Sequence, residues 1–164
     1  MQLNLKIYKM KKLFILRYSI IVFMILMIIG LLEICYNYLF NYEEHSILYQ
    51  EGTFGIFTFY IGLSLSILFV LGLFYTQKML GLFYKNLYFD LESISLMKKA
   101  GFCFVLFSVL SLIKNGYKSF ESINVQLFDY LLTFTILLIG FGMFVFVDIL
   151  KKGNKIQEEN ELTI

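Results

Sequence analysis

Few residues in this 164-residue chain have the type or the spacing for chemistry. His45, the lone histidine, stands beside Glu43 and Glu44. A zinc site there would need further nitrogen or thiolate ligands, and only carboxylates are at hand, so an ordinary solvated loop is expected. Cys35 and Cys103 form no C-x-x-C pair, which removes the dithiol a thiol oxidoreductase needs. They read as small buried hydrophobes. No G-x-S-x-G, H-E-x-x-H or G-x-x-x-x-G-K-[ST] string occurs, so acyl transfer, zinc hydrolysis and P-loop chemistry lack local support. The expectation is a protein with no catalytic residue, no metal and no cofactor.

Four ionisable residues matter more, because they border long apolar runs, where charge is costly and often functional. Arg17 and Asp148 fall at one expected depth, at the same ends of the first and last runs. Glu33 and Asp129 fall near the opposite ends of those runs. If the two runs are neighbours, Arg17 and Asp148 form a clamp, and Glu33 and Asp129 form a carboxylate pair sharing a proton or a cation. In the alternative, all four reach water independently by snorkelling. A proton-coupled exporter would need a carboxylate near mid-membrane, and Glu33 is too close to the exit.

The elements that position these groups follow from composition. The chain is 59% hydrophobic, 19% aromatic and only 16% charged, with a mean hydropathy of +0.76. A soluble domain cannot hide that much apolar surface, and a disordered chain would be polar and highly charged. A net charge of +2 is too small for nucleic-acid binding by the whole chain. An integral membrane protein is left, with the lipid bilayer as its first partner.

A spanning helix needs about 20 mainly apolar residues. Runs over 13–39, 54–76, 98–115 and 128–149 meet or approach that length. The uncharged centre of the third, 100–113, covers only about 21 Å of a core about 30 Å thick, so Lys99 and Lys114 are expected to snorkel to opposite interfaces. Of the 14 Lys and Arg residues, 12 fall in the N-terminal segment, the second connection and the tail. The first and third connections hold only Lys114 and Lys118. The positive-inside rule then places both termini in the cytoplasm. No small-x-small cleavage site follows the first run, so an uncleaved helix is expected rather than a signal peptide. Tryptophan is absent, and tyrosines are expected to form the interfacial belts, Tyr42 and Tyr49 among them. Proline is also absent, which disfavours the broken helices of many transporters. The fold class is all-α, a four-helix transmembrane bundle.

Past Thr76, residues Leu80, Phe83, Tyr84, Leu87 and Tyr88 keep helical spacing, and Asp90 is a candidate N-cap for the next helix. This predicts a cytoplasmic helical extension between helices two and three, bearing Lys78, Lys85, Lys98 and Lys99. Its lysines suit anionic headgroups or a protein partner. Gly153, just after Lys151 and Lys152, reads as a helix stop. The tail then ends on Leu162, Thr163 and Ile164, a terminus that a partner could capture. Thr58, Gly62 and Ser66 share one helix face at four-residue spacing, which suits packing within the bundle or a homodimer contact.

Two strings resemble a known family, the small bacterial four-span membrane proteins of domain of unknown function 2975. One is the tail from Gly153-Asn154 through the acidic stretch to Leu162-Thr163-Ile164. The other is Phe89-Asp90-Leu91-Glu92-Ser93-Ile94 followed by Lys98-Lys99-Ala100-Gly101. Ser93 stands where the family often has asparagine. The family has no established activity, but its members are often encoded beside a small helix-turn-helix transcriptional regulator. The resemblance therefore implies a membrane protein that holds or releases such a regulator, without touching nucleic acid itself. A small ion- or proton-coupled transporter using Glu33 and Asp129 is the alternative.

Overall fold

The computed structural model describes residues 2–40, 55–117 and 123–162. Four helices account for nearly all of them: α1 (Gln2–Phe40), α2 (Gly55–Tyr84), α3 (Leu91–Tyr117) and α4 (Ile123–Glu161). No strand occurs among the described residues. Each helix contains a segment long and apolar enough to cross a membrane: Lys11–Tyr36, Tyr60–Tyr84, Leu91–Asn115 and Leu127–Asn160. The 39 residues of α1 and of α4 are each about 58 Å long, roughly twice the hydrocarbon thickness. Both therefore carry helix well beyond a bilayer core. His45, Glu43, Glu44, Tyr42, Tyr49, Lys118, Thr163 and Ile164 lie outside the described residues.

Helices pack in chain order, α1 on α2, α2 on α3 and α3 on α4. Among the described residues no α-carbon of α1 comes within 8 Å of one in α3 or α4. One cluster of buried side chains draws on α2, α3 and α4: Met79 and Leu80, Ile94 and Met97, Val147 and Leu150. Leu13 and Ile20 of α1 cover that cluster from one side. Further along, Leu73, Ala100 and Phe104 form a second cluster. In contrast, α1 contributes no fully buried residue over its apolar span.

Small residues set the closest approaches, as expected where packing rather than hydrophobicity drives helices together. A Cβ at Gly140 would stand 3.1 Å from the Gly101 carbonyl oxygen and 2.8 Å from Val105, so α3 and α4 touch through this glycine pair. Gly72 of α2 receives the Phe104 ring in the same way. The Thr58, Gly62, Ser66 stripe is different. At Gly62 nothing lies within 4 Å of an added Cβ, and the Ser66 hydroxyl donates back to the Gly62 carbonyl at 2.9 Å. Packing within the bundle therefore does not explain Gly62.

Hydroxyls along the spans are satisfied inside their own helices. Ser19, Ser64, Thr76, Ser108, Thr133 and Thr135 each donate to the carbonyl four residues earlier, at 2.8–3.0 Å. Such back-bonding removes the cost of a polar side chain in hydrocarbon. Large apolar side chains meanwhile face outward on every helix, among them Leu26, Ile67, Phe102 and Leu138. A soluble monomer does not leave so much apolar surface uncovered, whereas a bilayer would cover it. The chain is a multi-pass, all-helical membrane protein.

Candidate functional site

Among the described residues, the end of the bundle that carries the α2–α3 turn is the most elaborately bonded part. α2 stops because Asn86 takes a left-handed conformation, with φ at 63°, which a short amide side chain tolerates better than most. The Leu87 N–H donates to the Leu82 carbonyl at 3.1 Å and the Asn86 N–H to Phe83 at 3.0 Å. These two bonds are the Schellman pattern that closes a helix C-terminus. The Tyr88 hydroxyl lies 3.3 Å from Asn86 Oδ1, and its ring packs at 5.2 Å from that of Phe83.

α3 starts one residue after Asp90, whose carbonyl accepts the first intrahelical bond from the Ile94 N–H at 3.1 Å. Asp90 thus occupies the N-cap position expected of it. Glu92 in the first turn complements the helix dipole. Ser93 is wholly buried. Its hydroxyl is 2.8 Å from the Asp90 carbonyl and 2.9 Å from that of Tyr88.

α4 reaches over this turn. The Asn154 side-chain amide donates to the Phe89 carbonyl at 2.7 Å. The Phe89 ring lies on Gly153 so closely that any Cβ there would run into it. The expected helix stop at Gly153 is therefore corrected: α4 continues through it to Glu161. Glycine is required at 153 by the neighbouring ring, not by a left-handed backbone. The two strings that carry the family resemblance, Phe89 to Ile94 and Gly153-Asn154, meet at this contact.

The other expected residues are distributed around it. Lys78 lies over the Phe74 ring at 4.7 Å and Lys99 is 5.9 Å from the Tyr75 ring. Lys85 and Lys98 are exposed, as are Leu87, Phe89, Leu91, Ile156 and Leu162. Thr163 and Ile164 fall beyond the described residues. Asp148 stands 3.9 Å from Lys151 in an exposed pair three residues apart, an arrangement worth little energy. Arg17 instead lies flat against α2, its guanidinium carbon and both terminal nitrogens 3.4–3.5 Å from where a Gly81 Cβ would be. Exposed Glu33 and half-buried Asp129 sit on helices with no close backbone approach. The structure thus brings together the turn and the tail, and it leaves Arg17 apart from Asp148. No group of three or more His, Cys, Asp or Glu able to hold a metal occurs among the described residues.

Sequence reasoning missed Asn154, Gly153 as a packing surface, and Gly81. It noted Ser93 only as a departure from a pattern. A signal existed in part: small residues recur at Ser93, Ala100 and Ser108, the spacing of a close helix contact, and all three are fully buried.

No curated protein and no solved structure matches this chain. Residues 16–164 match the family described as protein of unknown function DUF2975. That match covers the four helices almost entirely, together with the turn and the α4 extension, and the chain belongs to this family.

Proposed function

We propose that this protein is a non-enzymatic membrane regulator that holds a cytoplasmic helix-turn-helix transcriptional regulator at the turn end of its bundle. Both termini lie in the cytoplasm of a bacterial plasma membrane protein, following the lysine distribution. The observation that carries the reading is the bond from Asn154 to the Phe89 carbonyl. It joins the α4 extension to the α2–α3 turn and so makes one surface of two segments far apart in sequence. Leu87, Leu91, Ile156 and Leu162 are its exposed apolar residues. Lys78, Lys85, Lys98 and Lys99 supply a basic rim that steers an acidic partner surface. Leu162, Thr163 and Ile164 serve as the terminal anchors.

A transporter built on Glu33 and Asp129 gains no support from α1 and α4 standing apart, or from span hydroxyls bonded within their own helices. The test is capture from cross-linked native membranes, comparing the full chain with one ending at Glu161. The truncated chain inserts normally and loses the DNA-binding partner. Equal recovery by both chains removes the tail from the interface.

A further inference from the structure

We infer that Arg17, with Lys78 and Lys85, forms a binding site for the phosphate of an anionic phospholipid at the α1–α2 seam. The guanidinium lies face-on against Gly81. Nε is sealed from solvent and has no hydrogen-bond partner. Lys78 and Lys85 bracket Gly81 at three and four residues, so they are helical neighbours on that face, and both are exposed.

No countercharge comes from the two helices that meet there. α2 has no acidic residue, and the only one in α1 is Glu33, sixteen positions and about 24 Å along the helix from Arg17. The nearest acidic residues in sequence to Lys85 are Asp90 and Glu92, at the start of α3. Asp148 of α4 is engaged with Lys151. Three cations at one seam with no carboxylate call for an external anion, and a guanidinium binds phosphate in a two-pronged fashion.

The seam also identifies the anion's source. Arg17 lies six residues into the apolar span Lys11–Tyr36 and Lys85 directly follows the span Tyr60–Tyr84, so the cations sit near the ends of two spans, at the depth of phospholipid headgroups. A free phosphate has no reason to collect at that depth, whereas a lipid headgroup is held there by its acyl chains.

The test uses the purified full chain in neutral detergent, with retained lipid read by native mass spectrometry. Phosphatidylglycerol, phosphatidylcholine and inorganic phosphate are the probes. The wild-type chain prefers phosphatidylglycerol over phosphatidylcholine by about tenfold, as expected for a charge-assisted pair. Arg17→Gln reduces that preference to within about twofold, and Lys78→Gln with Lys85→Gln weakens it. Lys155→Gln, far along α4, leaves it unchanged. Circular dichroism confirms the helical content of each variant, and the lysine double variant carries the test if Arg17→Gln does not fold. Equal retention of the two lipids by the wild type, or full preference in Arg17→Gln, overturns the site. Competition by inorganic phosphate at concentrations equal to the lipid overturns the lipid as its source. No protein partner is present, so the outcome is independent of regulator binding.

Discussion

At the scale of single residues, glycine has opposite meanings at two positions of similar appearance. Gly153 lies under the Phe89 ring, while an added Cβ at Gly62 meets nothing within 4 Å. Alanine at 153 gains about 1 kcal/mol of helix propensity but overpacks the ring, at a cost of about 1–3 kcal/mol. Gly153→Ala therefore lowers stability by about 1 kcal/mol in thermal unfolding in detergent, the overpacking outweighing the propensity gain. Gly62→Ala stays neutral or gains up to about 1 kcal/mol. If Gly153→Ala is the more stable of the two, the Phe89 contact is not formed in solution. Asn154→Ala removes a single tertiary hydrogen bond and costs about 1 kcal/mol in the same measurement. None of this was legible beforehand. A glycine after two lysines at the end of an apolar run looks like a helix stop, and only a ring 64 positions earlier in the chain changes its meaning.

At the scale of elements, the α2–α3 connection was largely legible because its signals are local. The aspartate ahead of Leu91 lies next to the helix start it marks, whereas the helical spacing read through Tyr88 ran past the end of α2 at Tyr84, which Asn86 sets by turning left-handed. The turn makes its own prediction. Asn86→Gly preserves the φ of 63° and leaves stability unchanged or slightly raised, since glycine adopts that conformation freely. Asn86→Val forces a β-branched residue there and costs about 1–2 kcal/mol. Equal effects from glycine and valine would show that the Schellman closure is absent. Helix order was less legible. The paired depths of Arg17 with Asp148 and of Glu33 with Asp129 suggested that α1 and α4 could be neighbours, but depth along a membrane says nothing about adjacency around a bundle. Adjacency is decided by glycines such as Gly101 and Gly140, which lie on different helices and signal only when read as a pair.

At the scale of the whole molecule, hydropathy and charge were sufficient for the architecture, because a bilayer leaves helices few alternatives. The lysine distribution predicts a direction of insertion. Cysteine-free variants carrying a single cysteine at Lys155 or Lys85 are expected to resist a membrane-impermeant thiol reagent in intact cells and to react after lysis. Labelling in intact cells would invert the topology and remove the cytoplasmic partner. The central claim is that the α4 extension and the α2–α3 turn act together as one docking surface for a soluble regulator. Photo-cross-linkers placed singly at Leu87 and at Ile156, with Leu138 on the lipid-facing surface as control, test it most directly in native membranes. Both turn-end positions are predicted to trap the same soluble DNA-binding protein, and Leu138 only lipid. Different products at Leu87 and Ile156, or only membrane components at both, would contradict it.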